Sequence, residues 1–586
     1  MKLKFIFLAY LLSFLTLTKV YCREHTLFNN NTTTYTIVIP SNATASEKYA
    51  ADELQYWLKK IGGVLIPIQQ GYGEYISPKL SISKQTQIFR SQTEGSQLQM
   101  GNNSYTYYSN EDDIFFIGSD ELGVIYCIYS FLENEFSCRW YGEDLVISPQ
   151  KSQYSFSSLS YYSSPVFSTR KLYYKNAFNN DWALRNKING LARYTDSSYG
   201  SIRIFGETFC GVHTFNKFVP PDKYYDSHPE YYSLVDGERI PTQLCLSNAD
   251  VIKICTEELR TLIKKEPAYK YYDLSQNDNL QPCQCDKCRR LVKKEGSESG
   301  PILFFVNKVS QSLQKEFPNK YISTLAYQYS QKPPKHIIPN KNVAIRLCPI
   351  NTCLIHDFNC CSSNKAFARD LKKWKQITDN LFIWDYIGST RMYYAPLPNF
   401  DAIQQRLIYY KENGIKGVNL EGASKVNGDL TDLRAYIISK LLWNPLTEIE
   451  PTILQFMKDV YGESASEMYN YYTLSQSLSH KNKHLFFVFD QNNDIYDRAY
   501  ISEALNLLET ALTKTDNPKI ENLINQQRFV VSYLYCKKYP EEAIKTGYYK
   551  FVNKWQKDNS IESFAGSGKQ VSVDDFYQEM QRYIVN

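Results

Sequence analysis

Tyr271-Tyr272-Asp273-Leu274-Ser275-Gln276-Asn277-Asp278-Asn279 runs from a short apolar segment straight into a cluster of amide and acid side chains. Residues 271–274 have strand character, and polar side chains packed directly after a strand are what the active face of a parallel barrel carries. The same layout recurs along the chain. Candidate strands lie at 166–172, 201–205, 271–274, 322–327, 343–347, 381–384 and 417–420, with amphipathic stretches at 250–265, 300–316 and 366–378 between them. Repeated strand–helix units over this length predict a (β/α)8 TIM-like barrel across residues 161–430. A doubly wound open sheet is the competing α/β architecture, but the glycine-rich phosphate turn that often marks it is absent.

Outside that region the pattern changes. Residues 24–160 alternate strand and helix once or twice and predict a small N-terminal α/β domain. Within it, Thr44 and Glu47 have capping-box spacing and Gly62-Gly63 stops the helix. An apolar strand at 113–118 is followed there by an apolar helix over 123–132. Residues 431–586 show helical spacing, with Leu433, Tyr436, Ile437 and Leu441 on one face and Pro445 as a stop, and predict a C-terminal helical domain.

The 586 residues are 43% hydrophobic and 22% charged, which suits a globular protein with several cores. A net charge of +5, spread without basic runs, argues against a nucleic-acid partner. The 49 tyrosines permit flat amphipathic ligands such as sugars, but a general compositional bias accounts for them more readily. Met1-Lys2-Leu3-Lys4, the apolar stretch 5–17 and Val20-Tyr21-Cys22 have the layout of a bacterial signal peptide over 1–22. The mature chain is then expected to be exported: periplasmic, cell-surface or extracellular. Cys22 offers an alternative as a lipidated tether to the membrane.

Thirteen of the 14 cysteines follow Cys22. Cys283, Cys285 and Cys288 form one group, and Cys348, Cys353, Cys360 and Cys361 a second. Thiolates at this spacing can share zinc. A second pair at matching spacing is missing and His356 is the only imidazole among them, which favours disulfide staples over metal. No metal or nucleotide cofactor is expected.

Reading the strand ends for chemistry selects Asp278, Asp385 and Glu421 as an acid-rich cup, accompanied by Trp384, Tyr327, Arg346 and His213. Two carboxyls, or one carboxyl with a substrate amide, are what hydrolysis of a glycosidic acetal requires. Each residue also has a structural use. Asp385 can orient a neighbour, Arg346 can pair with a buried carboxylate, His213 can be a satisfied loop residue, and the amides around Asp278 can form a loop hydrogen-bond network.

Ser275–Asn279 followed by the cysteine group at 283, 285 and 288 resembles a bacterial family, domain of unknown function 4838. So do His228-Pro229-Glu230-Tyr231-Tyr232-Ser233-Leu234-Val235-Asp236-Gly237, Gln243-Leu244-Cys245-Leu246, and the run from Glu421 to Leu441-Leu442-Trp443-Asn444-Pro445. The likeness spans about residues 160–450, and the preceding segment is similar to the small domain before the barrel in hexosaminidases and α-glucuronidases. The group includes glycoside hydrolase family 163, endo-β-N-acetylglucosaminidases acting on N-glycans. The resemblance implies a retaining mechanism in which the substrate's 2-acetamido oxygen attacks the anomeric carbon. Asp278 would then act as acid/base and Asn277 would orient the acetamide with Tyr327. Glu421, Asp385, Asn279, His213 and Arg346 would contact sugar, over a floor made by Trp384. Related enzymes commonly have a carboxylate where this chain has Asn277. The alternatives are an α-glucuronidase-like or other exo-glycosidase pairing Asp278 with Glu421, and a glycan-binding surface protein without activity.

Overall fold

The computed structural model describes residues 24–71, 77–85, 100–190, 193–195, 202–204, 209–389, 393–424, 426–480, 483–487, 495–564 and 572–584. The expected leader over 1–22, with Cys22, lies outside them. The chain divides into two compact units, Met1–Ser137 with Ser148–Ser163, and Cys138–Ile147 with Ser164–Asn586.

In the first unit a six-stranded sheet is built, in order, from Ser160–Ser163, Tyr105–Asn110, Asp113–Gly118, Lys79–Lys84, Thr36–Ile39 and Ile68–Gln70. Helices Ala45–Gly62 and Glu121–Glu135 pack together and against it. The first helix begins at the expected capping box: the Glu47 N–H reaches Thr44 Oγ1, and the Thr44 N–H donates to Glu47 Oε2 at 2.7 Å. It ends where Gly63 turns left-handed at φ 69°. The apolar helix extends further than its sequence pattern because Asp120 caps it, accepting from the Gly123 N–H at 2.8 Å.

The second unit is organised on seven parallel strands: β1 Thr169–Tyr173, β2 Phe209–Cys210, β3 Tyr271–Asp273, β4 Tyr321–Ala326, β5 Val343–Leu347, β6 Leu381–Tyr386 and β7 Gly417–Glu421. Their order in the sheet is β1-β7-β6-β5-β4-β3-β2. The first strand therefore lies beside the last, as in a barrel. The sheet curls: Phe209 on the edge strand β2 meets Phe382 of β6, four strands away, with ring centroids 5.1 Å apart.

Among the described residues no eighth strand is added, and β1 and β2 are not paired with each other. The architecture is a seven-stranded parallel half-barrel rather than the expected (β/α)8 closure. The segment expected to supply the second strand instead pairs antiparallel, Ile202–Ile204 with Arg193–Thr195.

Outer-face packing follows helical spacing. Helix Lys365–Ile377, for example, buries Phe367, Leu371 and Trp374 on one stripe, each contributing about 1.5–3 kcal/mol of transfer free energy. From Thr431 onward the same unit continues as helices, including Thr431–Trp443, Ile449–Tyr461, Ala465–Gln476, Arg498–Leu512 and Pro518–Lys538. No described helix is long and apolar enough to cross a membrane.

The expected disulfide staples are not formed. Every cysteine among the described residues is a free thiol. In two places the sulfurs converge as groups with other ligand-type atoms instead of joining in pairs.

Candidate active site at the carboxyl ends of the barrel strands

Side chains alternate along each strand, so one set fills the barrel and the other meets the helices. At the bottom the inward set is apolar: Tyr271, Ala344 and Phe382 pack with Phe209 and Tyr321. Two residues further along the strands the inward set turns polar. Asp273 of β3 is fully buried and ion-pairs with Arg346 of β5. The Thr214 and Ser275 hydroxyls donate to its Oδ2 at 3.0 and 2.7 Å. The Arg346 guanidinium lies 4.9 Å from the Phe209 ring centre and 5.7 Å from that of Trp384. Arg346, expected to touch sugar, is instead 5% exposed and held by Asp273.

One layer higher is the cup. Trp384 of β6 donates its indole N–H to Glu421 Oε2 at 2.8 Å. Tyr173 of β1 stacks on Trp384 with centroids 5.9 Å apart, and the Lys171 ammonium sits 4.6 Å from the Tyr173 ring. Burial pushes the Glu421 carboxyl above its ordinary range, and the nearby Asp278 charge adds to this, whereas the Trp384 bond, Lys171 and His213 work against it. Burial and the Glu421 charge likewise push the Tyr173 phenol up to about 12, so it stays a neutral hydrogen-bonding group.

Asp278 stands exposed at the rim. The Tyr327 hydroxyl donates to its Oδ1 at 3.1 Å and accepts from Gln328 Nε2 at 3.0 Å. Burial, followed by the Asp278 charge, raises the Tyr327 pKa, which keeps that proton on the phenol. His213 completes the rim, its ring 5.9 Å from that of Tyr327. Its Nδ1 lies 2.6 Å from the Gln276 carbonyl, so that nitrogen is the donor, and Nε2 is an acceptor whenever the ring is neutral. His213 and Gln328 both adopt left-handed backbone, at φ 52° and 51°, a conformation costly for residues with a Cβ and often retained beside functional groups.

The structure thus brings together Asp278, Glu421, Trp384, Tyr327 and His213. Asp385 does not join them. As the neighbour of inward-facing Trp384 it points outward, where Arg406 Nη1 and the Tyr410 hydroxyl bind it at 2.8 and 2.7 Å. Asn277 is also committed elsewhere. Its Nδ2 donates to the Thr242 carbonyl at 2.8 Å and its Oδ1 accepts from the Asn216 N–H at 3.3 Å. Asn279 donates to the same Thr242 carbonyl and accepts from Gln243 Nε2 and the Gln281 N–H. These amides hold the loop because a turning backbone has polar groups that no ladder satisfies. Tyr173, Lys171, Tyr386 and Gln328 were not singled out in the sequence. The strand register identifies the first three, since Tyr173 and Tyr386 lie opposite Glu421 on its two neighbouring strands and Lys171 lies two residues before Tyr173.

The model of the family described as Domain of unknown function (DUF4838) matches residues 140–473, more than half of the chain and the whole half-barrel. The chain belongs to the DUF4838 family. Among curated proteins none matches its sequence. Of solved structures, a family GH115 4-O-methyl-α-glucuronidase with specificity for decorated arabinogalactans aligns at TM-score 0.55 and 12% identity, covering 92% of this DUF4838 chain and 78% of that one. The two share a fold. A GH138 enzyme targeting pectin rhamnogalacturonan II aligns at TM-score 0.47 and 9% identity, over 94% and 78% of the two chains. CpGH84B aligns at 0.43 and 11%, over 95% and 97%.

Proposed function

We propose that this DUF4838 protein is a glycoside hydrolase whose working carboxyls are Glu421 and Asp278. The observation that carries the reading is their inequality within one cup. Glu421 is partly buried, which raises its pKa and biases it toward its protonated form, while Asp278 is exposed and accepts a hydrogen bond from Tyr327. Paired carboxyls with different environments are the arrangement that supplies one acid and one anion at the same pH.

Glu421, with Oε2 occupied by Trp384, would offer its proton from Oε1 to the departing glycosidic oxygen. Asp278 would face the positive charge developing at the anomeric carbon. Tyr173 and Trp384, stacked in the floor, suit the C–H face of a sugar ring. This division gives Glu421 the proton that the sequence resemblance assigns to Asp278. It is supported further by the commitment of Asn277 to its loop, since the substrate-assisted route needs that amide for an acetamido group.

A second reading keeps the substrate-assisted route. Asp278 at the open rim, with the Tyr327 hydroxyl beside it, would be acid/base for an N-acetylglucosamine-containing N-glycan, and Glu421 would accept from sugar hydroxyls. With the leader over 1–22, either enzyme would act outside the cytoplasm.

Digestion of a panel of N-glycans and uronic-acid polysaccharides, followed by mass spectrometry, tests the proposal. A new reducing end on at least one substrate is expected. Binding without cleavage across the panel would leave a lectin-like protein and refute it. Inhibition by a thiazoline mimic would favour the second reading, and indifference to it the first.

A further inference from the structure

We infer that this chain carries two structural zinc sites, one formed by four cysteines and the other by two cysteines and two histidines. In the first, the sulfurs of Cys245, Cys283, Cys285 and Cys288 all lie within 4.8 Å of one another. They come from three pieces of chain. Cys245 directly follows the hairpin strand Glu238–Leu244, Cys283 and Cys285 lie in the loop beyond Asp278, and Cys288 is in the first turn of helix Asp286–Glu295.

A tetrahedral zinc with Zn–S bonds of about 2.3 Å sets its sulfurs roughly 3.8 Å apart. The Cys245 and Cys285 sulfurs are 3.7 Å apart. A disulfide would require about 2.05 Å and would leave the other two sulfurs unexplained. Donors are aimed at the group, as thiolate ligands need: the Leu234 N–H at 3.4 Å and Arg239 Nη1 at 3.9 Å from Cys283, while the Ser247 hydroxyl, able to donate, lies 3.6 Å from both Cys245 and Cys285.

The second group is carried by separate observations. Ligand atoms of Cys353, His356, Cys361 and His484 lie within 4.8 Å of one another. Cys353 Sγ is 3.3 Å from His356 Nδ1, and Cys361 Sγ is 3.6 Å from His484 Nδ1. Sulfur and nitrogen on one zinc, at bond lengths of about 2.3 and 2.05 Å, stand roughly 3.6 Å apart. His356 Nε2 lies 3.2 Å from the Ser479 carbonyl, which fixes its proton there and leaves Nδ1 as the ligand atom.

Both groups have four protein ligands and no open position, the pattern of structural rather than catalytic zinc, and soft thiolates disfavour magnesium and calcium. Their placement gives them a task. The four-cysteine site joins the hairpin to the loop carrying Asp278, alongside the bonds from Gln243 to Asn277 and Asn279. The mixed site joins the loop after β5 to residues 483–487, beside the Leu354 N–H to Leu485 carbonyl bond and the Tyr386–Phe487 ring contact at 4.4 Å. Metal would hold the two loops in place. The mouth would still do the chemistry, so metal content can be tested whether or not the protein hydrolyses a glycan.

The test uses the full chain, purified without chelator or added metal and measured by inductively coupled plasma mass spectrometry. Two zinc ions per chain are expected. Cys285→Ser and His484→Ala should each reduce this to one. If a variant fails to fold, the wild type still decides. Titrating its thiols with a mercurial should release zinc to a colorimetric chelator in two steps, and cobalt exchanged into the protein should show tetrahedral thiolate spectra. Folded protein free of metal would overturn the inference, as would an intact mass lacking two hydrogens for each joined pair among these cysteines. Stoichiometric iron in place of zinc would overturn the choice of metal.

Discussion

Asp385 on the outer face of β6 and Glu421 on the inner face of β7 are both strand-end carboxyls, the first fully buried and the second partly, and their surroundings differ. Asp385 has a buried guanidinium, a phenol and its neighbour's backbone N–H as donors. Glu421 has one indole N–H and a second carboxylate nearby. A buried acid supplied with donors locks elements together. One supplied with few is poised to hold a proton. The difference separates a structural acid from a chemical one within a single wall of the barrel.

The largest expected effect comes from removing the poised acid. Glu421→Gln should lower turnover of a cleaved glycan by about two to four orders of magnitude, and circular dichroism should show an unchanged fold. The converse change is Asp385→Ala, which strands the Arg406 charge in the interior. It should cost about 3–5 kcal/mol in urea unfolding, and a loss as small as that of a surface substitution would show that the outer face is not the structural one.

Next is pH. Because the folded-state pKa of Glu421 is raised, its contribution to stability is complete below the ordinary Glu range and is lost as pH rises through the raised value. Glu421→Gln, neutral throughout, should therefore gain stability relative to wild type as pH climbs through that window. Melting curves across pH check the sign, and parallel curves would remove the basis for calling Glu421 poised. Smaller still, Tyr327→Phe deletes the hydroxyl bonded to Asp278 and should reduce kcat/KM by about one to two orders of magnitude. Trp384→Phe removes the indole bond that lowers the Glu421 pKa, so the alkaline limb of the pH–rate profile should move to higher pH, with kcat/KM changed less than about tenfold.

Most strand ends were legible in the sequence because apolar runs followed by polar residues mark them, and this reading selected Asp278, Glu421, Trp384, Tyr327 and His213, which the structure brings near one another. Which face each residue takes was not legible from runs alone. Asp385 was grouped with Glu421 although it adjoins inward-facing Trp384, and in a strand a shift of one residue reverses the direction of the side chain. Asn277 and Asn279 read as chemistry because their partners, Thr242 and Gln243, lie over thirty residues away on a hairpin that returns to the loop. The same separation hid the ligand groups. Cys245 is forty residues from Cys285, and His484 belongs to the helical region, so neither spacing pattern was complete. The second strand was misplaced for a related reason, since residues 202–204 have strand character but pair with 193–195, and Phe209–Cys210 joins the sheet instead.

The most direct test of the central claim compares two substrates of one sugar, a natural glycan and a dinitrophenyl glycoside whose leaving group departs without a proton. Glu421→Gln should lose activity on the glycan but keep most of it on the dinitrophenyl substrate, while Asp278→Asn should lose both. Equal losses on both substrates for Glu421→Gln, or a spared dinitrophenyl reaction for Asp278→Asn, would contradict the claim and return the proton to Asp278.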